Sequence, residues 1–493
     1  MGIIKKLASQ TAVYGLSSIF GRFLNYLLVP LYTYYFSATE YGVVAEFYAY
    51  AGFFSVVLVF GFETGYFRFR DKVHTGKDSA YSTALIFVLL ANLVFFLTIL
   101  FLNSKLSAAL NYANHPEYLL CFTLILVLDA IASIPFSKLR AENKAFHFAG
   151  IKLVEILVTV SLSLFFIIYC PKLYADNSQA WIRQIYNPTI GIGYIFIANL
   201  LASVFKFLLL IPQLRGISYG FDRELFGKML RYSLPMVVIG FAGIINEMLD
   251  RALLKFLLPY ELSTNMQMLG IYSACYKLSI LMSLFIQAFR YAAEPFFFAY
   301  SDNTDARSVY ANVLNFFVIF CVFIFLLVTL FIDFFKYFVG EEFRAGLDVV
   351  PILLMANLFL GIYVNLSIWY KLTDRTLIGA FVSLIGAGLT ILLNVWWIPL
   401  FGYMGSAWAT LACYATMAIV SYLLGRHYYP VAYDVKRILF YIALGIALFV
   451  AKLNLSTGSA WQQSWLVSSE LITLYILLAI LFEKRQFARM IKH

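Results

Sequence analysis

The sequence predicts an all-α, polytopic membrane protein with about fourteen transmembrane helices. Three observations predict it: an apolar composition, a run of apolar segments of membrane-spanning length, and basic residues gathered in alternate loops. Of 493 residues, 62% are hydrophobic and only 13% charged, against about 25% charged in soluble globular domains. A soluble fold of this length would lack the polar side chains to cover its exterior, so lipid must be the solvent for most of the chain.

A helix needs about 20 mainly apolar residues to cross the hydrocarbon core. On that ruler the segments fall near 9–34, 42–62, 80–102, 117–137, 147–170 and 189–211. A second series follows near 228–250, 267–289, 309–332, 347–370, 376–398, 402–424, 436–452 and 464–482. Lys5 and Lys6 precede the first segment, which is too long for a signal-peptide core and is read as the first span. The turn Phe401-Gly402-Tyr403 separates the eleventh and twelfth spans, and Trp396 and Trp397 sit where an interfacial belt would place them.

An even number of spans puts both termini on one side. The loops on that side hold 25 Lys and Arg residues and the opposite loops only 8, with Arg22, Lys206 and Lys277 inside spans. Basic residues favour the cytoplasm, so both termini are expected there. This bias also accounts for the net charge of +10 without any nucleic-acid partner. Cys121, Cys170, Cys275, Cys321 and Cys413 form no Cys-x-x-Cys pair and lie mostly in apolar stretches, as buried thiols do. His74, His115, His147, His427 and His493 offer no metal-ligand spacing, so neither a metal nor a cofactor is expected.

Six spans followed by a re-entry from the same side make two parallel repeats, related by an axis along the membrane normal. Gly42-Val-Val-Ala-Glu-Phe-Tyr48 can be laid on Gly270-Ile-Tyr-Ser-Ala-Cys-Tyr276, and with one gap the register brings Arg22 beside Arg251 and Pro30 near Pro259. The division expected is a six-helix lobe at 1–215, a second at 216–430, and two further helices with a basic tail at 431–493.

Several strings carry a resemblance across nearly the whole chain. They are Val29-Pro30-Leu31-Tyr32 leading to Thr39-Glu40-Tyr41-Gly42, and Leu230-Arg231-Tyr232-Ser233-Leu234-Pro235 running on to Leu249-Asp250-Arg251. Leu269-Gly270-Ile271-Tyr272-Ser273, Val350-Pro351-Ile352-Leu353 with Gly361-Ile362-Tyr363, and Gly402-Tyr403-Met404-Gly405-Ser406-Ala407 complete the set. In this order they resemble the polysaccharide-transporter branch, the O-antigen and capsule repeat-unit flippases, of the multidrug/oligosaccharidyl-lipid/polysaccharide exporter superfamily. The resemblance implies two six-helix bundles in a V around a central cavity, plus two trailing helices. It also implies alternating-access transfer of an undecaprenyl-diphosphate-linked oligosaccharide from the cytoplasmic to the periplasmic leaflet of a bacterial inner membrane. Polysaccharide polymerase and chain-length machinery would then be partners.

Charges inside spans are costly, about 2.5–3.5 kcal/mol each at mid-bilayer on insertion scales, and mark candidate sites. Arg22 lies on a polar stripe with Thr11, Ser18 and Asn25, a face that wants a wet cavity or a polar ligand. Lys277 sits mid-span in the other half, with Ser273 and Gln287 roughly along its face. An Arg fork and a compact Lys charge suit a diphosphate, and Asn357 and Asn365, with Gly361 between them, suit sugar hydroxyls. The alternative is that Arg22 and Lys277 pair with intramembrane carboxylates and hold helices together. Lys206 could bind substrate or snorkel to the interface, and Arg251, beside Asp250, could bind substrate or form a local pair. Asp129 is the candidate for a coupling proton or cation, with a salt bridge to Arg22 as its alternative. Glu155 has Lys152 three residues before it, a local pair. Glu46, Glu247 and Glu470 lie toward the outer side with no assigned role. Export of two negative charges across about 100 mV, inside negative, would release roughly 4.6 kcal/mol, so the empty carrier's return is where an inward cation would serve.

No Gly-x-x-x-x-Gly-Lys-Ser/Thr phosphate loop occurs, which argues against a primary pump. A membrane glycosyltransferase or polymerase would show an acidic motif such as Asp-x-Asp or a large outward loop, and neither is present. A drug exporter or a peptidoglycan-precursor flippase of the same superfamily remains open. The central cations favour an anionic cargo over a cationic drug.

Overall fold

The computed structural model describes residues 19–70, 79–176, 181–215, 220–455 and 461–490. Within them the chain is helical, with no β-strand. Twelve described helices are long and apolar enough to cross a membrane, and a bent pair makes a thirteenth. They are Ala38–Phe69, Ser79–Ala109, Pro116–Ala141, Ala145–Ala175, Gly193–Leu214 and Arg223–Leu257, then the pair Leu262–Leu278 and Ile280–Tyr300. Ala306–Leu330, Val349–Leu372, Thr376–Phe401, Tyr403–Tyr428, Val435–Leu455 and Gln463–Lys484 follow. These are the second to fourteenth expected segments, one for one. The first begins outside the described residues, and its remainder is helical over 19–26 and Leu28–Tyr35.

Local chemistry sets the boundaries. A capping box starts the second span: Ser37 Oγ accepts from the Glu40 N–H, and the Glu40 carboxylate accepts from the Ser37 N–H at 2.9 Å. Left-handed Phe60 and Gly61 interrupt that span before its last two turns. In the fifth span a π-helical stretch, Phe165–Tyr169, precedes Pro171, whose ring and missing N–H disturb a regular ladder. Gly402, at φ +62°, makes the expected turn between the eleventh and twelfth spans.

Two expected boundaries are corrected. The seventh span does not stop at 250 but runs to Leu257, so Arg251 and Lys255 are buried helical residues and not loop residues. The eighth runs past 289 to Tyr300 and bends by 46° at Ser279, a break that mean hydropathy does not register. Lys452, at the outer end of the expected thirteenth span, is buried in a helix that runs on to Leu455.

By internal contacts the chain forms two compact units, Met1–Phe256 with Tyr260–Gly270, and Leu257–Pro259 with Ile271–His493. In the first, Phe62, Tyr66, Tyr81, Leu85, Ile134 and Met229 form a core from four spans. There, too, the second and eighth spans cross backbone to backbone. A Cβ on Gly42 would overlap the Met266 carbonyl, and one on Gly270 would overlap the Ala38 carbonyl. In the second unit, Ala356, Val382, Cys413, Tyr414 and Met417 join the tenth, eleventh and twelfth spans. The last two spans dock on the ninth: Lys452 Nζ and Ser468 Oγ both donate to the Leu330 carbonyl. Arg437 and Tyr441 of the thirteenth span meet Glu483 of the fourteenth.

Candidate functional site

In the first unit, the first span is seated on the fifth. A Cβ on Gly21 would stand 2.7 Å from Ile156 Cδ1, and the Tyr32 and Ser163 hydroxyls are hydrogen-bonded at 3.1 Å. The Arg22 and Asn25 side chains on this helix are exposed. Thr11 and Ser18, the rest of the expected polar stripe, lie outside the described residues.

Asp129 does not pair with Arg22. Its Oδ1 accepts from Lys206 Nζ at 2.5 Å and from Ser203 Oγ at 2.8 Å. The same ammonium donates to Glu155 Oε1 at 2.6 Å, and Glu155 Oε2 accepts from Lys152 at 3.0 Å, the expected local pair. The fourth, fifth and sixth spans are therefore tied at one point. Lys206 is 2% exposed; it does not snorkel, because two carboxylates inside the bundle outcompete the interface for its charge.

A second buried ion pair was not anticipated from the sequence. Lys255 Nζ donates to both Glu46 carboxylate oxygens, at 2.8 and 3.0 Å, and to the Leu110 carbonyl at 2.7 Å. Tyr112 and Tyr50 hydroxyls donate to the same carboxylate at 2.5 and 2.6 Å. Both charged side chains are almost wholly enclosed. The arrangement leaves neither free for a ligand, since every strong donor and acceptor in it is matched. Arg251 is buried nearby in the same helix, and its N–H donates to the Asp250 carboxylate at 2.8 Å.

In the second unit, Lys277 is partly exposed and lies two residues before the Ser279 break. Along its helix, Ser273 Oγ and Gln287 Oε1 are buried without a hydrogen-bond partner among the described residues. Such groups are rare in native interiors, and they stand on either side of the Ser279 break. Asn357 is engaged at the break itself: its amide donates to Ser279 Oγ at 3.2 Å, and Ser283 Oγ donates to its carbonyl at 3.3 Å. Asn365 donates to the Gly361 carbonyl at 3.0 Å, while its own Oδ1 has no partner among the described residues. It lines a small cavity with Phe289, Arg290, Glu294 and Lys371, across which Lys371 and Glu294 pair at 2.5 Å.

The first unit presents an exposed cation at Arg22, and the second a part-exposed one at Lys277. A guanidinium or ammonium can bind an anionic group by charge-assisted hydrogen bonds. Among the described residues, no cluster of three or more His, Cys, Asp or Glu could hold a metal ion.

The family model described as Polysaccharide biosynthesis protein matches residues 7–301. Among solved structures, the lipid II flippase MurJ in an inward closed conformation is similar at a TM-score of 0.75, with 17% identity, covering 96% of this chain and 99% of that one. An inward-facing multidrug resistance MATE family transporter of the MOP superfamily is similar at a TM-score of 0.62, with 14% identity, covering 88% and 96%. No curated protein matches the chain in sequence.

Proposed function

Because the chain belongs to the polysaccharide biosynthesis protein family, with the MOP-superfamily fold of two repeated helical bundles, we propose that it is a flippase for a polyprenyl-diphosphate-linked oligosaccharide repeat unit. It is a multi-pass membrane protein, and the proposal places it in the bacterial inner membrane with both termini cytoplasmic. The cargo moves from the cytoplasmic to the periplasmic leaflet, where a polymerase and chain-length machinery act on it.

The observation that carries this reading is the exposed Arg22 guanidinium. It stands beside Gly21, the glycine that seats its helix on the fifth span. A fixed, exposed cation in a span calls for an anionic ligand. Arg22 and Lys277 are proposed as diphosphate ligands, with Asn25, Asn357 and Asn365 as sugar ligands. Lys206 and Arg251, both buried, support the helices that carry them. Outward movement of a headgroup with two negative charges runs down a membrane potential of about 100 mV, inside negative, by roughly 4.6 kcal/mol.

The test is depletion in the native cell. The proposal expects lipid-linked repeat units to accumulate facing the cytoplasm, and surface polysaccharide to be restored by the wild-type chain but not by Arg22→Ala. Normal polysaccharide on depletion, with increased sensitivity to cationic drugs, would instead identify a drug exporter. Arrested peptidoglycan synthesis would identify a precursor flippase.

A further inference from the structure

We infer that the oxygen-lined seat between Asp129 and Glu155 is a monovalent-cation site whose resident is the chain's own Lys206 ammonium. The tethered group stands where a free sodium ion would otherwise bind. The inference concerns a different place from the proposed headgroup ligands and does not depend on what the protein carries.

Three observations support it. The ammonium donates to one oxygen of each carboxylate, at 2.5 and 2.6 Å, so both carboxylates face a single cation-sized position. The donors come from the fourth and fifth spans, and Ser203 on the sixth orients Asp129 Oδ1 at 2.8 Å, so the seat is built by the bundle and not by one helix. The Asp129 side chain is 46% exposed while Lys206 is 2% exposed, so the seat is open on the Asp129 side and closed behind the ammonium.

Charge explains why the seat cannot stand vacant. Asp129 and Glu155 bring two negative charges and Lys152 neutralises only part of this, through the other Glu155 oxygen. Without Lys206, two carboxylates would face each other in a medium of low dielectric, and each would need a proton or a cation. A tethered cation meets that need without ever dissociating. The inward cation expected at Asp129 is then not a passing ion, and this seat draws no force from a sodium gradient.

Removing the ammonium should convert the seat into an open site. The full-length protein, purified in detergent, is melted in sodium chloride, methylammonium chloride or choline chloride at equal ionic strength. Wild type and Lys206→Arg are expected to melt alike in all three salts. Lys206→Ala is expected to melt a few degrees higher in sodium or methylammonium than in choline, because those ions fit the seat and bind only the folded state. The double variant Lys206→Ala with Asp129→Asn should lose that difference. If Lys206→Ala cannot be recovered in choline, its recovery in methylammonium supports the inference, and failure in every salt overturns it. A Lys206→Ala variant that melts identically in all salts, or a wild type stabilised by sodium and desensitised by Asp129→Asn, also overturns it.

Discussion

Gly42 and Gly270 face each other at a helix crossing too close for a Cβ on either. The built Cβ of Gly270 lies 3.0 Å from the Gly42 nitrogen, and that of Gly42 lies 3.4 Å from the Gly270 nitrogen, with a carbonyl of the facing helix nearer still in each case. They are also the two residues that the sequence register of Gly42-Val-Val on Gly270-Ile-Tyr pairs.

A methyl group at either position has only backbone to push against, so Gly42→Ala and Gly270→Ala should each destabilise by about 1–3 kcal/mol or more. Gly150, helical and with nothing within 4 Å of its Cβ position, is the control. Gly150→Ala should be neutral or stabilising by roughly 0.5–1 kcal/mol. Melting midpoints in detergent compare the three, and equal midpoints would contradict the close crossing.

The Glu46 and Lys255 pair predicts strong non-additivity. Glu46→Gln or Lys255→Met leaves one charge buried without its partner, at a cost of about 3–5 kcal/mol. The double variant Glu46→Leu with Lys255→Met should recover much of that loss. A thermal-unfolding double-mutant cycle measures it, and additive losses would show that the pair does not act as a unit.

Asn357 separates a strap from a ligand. Asn357→Ala removes the amide that joins Ser279 and Ser283 across the bend, which should lower stability by about 1–2 kcal/mol. If Asn357 also meets sugar hydroxyls during transfer, half-saturation for cargo should rise with the maximal rate little changed. A stability loss with half-saturation unmoved would remove it from the proposed sugar ligands.

The spans were legible because lipid imposes one simple rule, an apolar stretch of fixed length, and even the short thirteenth segment obeys it. What the ruler could not see is polar chemistry inside the helices. Ser279 lies in an apolar run, so its bend leaves no mark on mean hydropathy; the Ser279, Ser283 and Asn357 set becomes meaningful only when two helices are placed side by side. Glu46 and Lys255 stand 209 residues apart; from the sequence Glu46 reads as lying toward the outer end of a span and Lys255 as a loop residue, where a charge needs no partner. A hint was available: Lys255 extends the helical spacing of the seventh span by one turn beyond Arg251. Asp129 reads from the sequence as a mid-span acid for a coupling cation, with a bridge to the equally mid-span Arg22 as its alternative. Depth in the membrane does not decide which helices are neighbours. Lys206 faces the fourth and fifth spans and reaches Asp129 first.

The most direct measurement of the central claim is transfer of a fluorescent polyprenyl-diphosphate oligosaccharide across proteoliposomes. The wild-type chain should carry it from one leaflet to the other. Arg22→Ala and Lys277→Ala should each slow transfer by about 10- to 100-fold at low cargo concentration, as expected for loss of a charge-assisted hydrogen bond worth about 1.5–3 kcal/mol, while melting as wild type does. Transfer unchanged in both folded variants would contradict an anionic cargo held by these two cations.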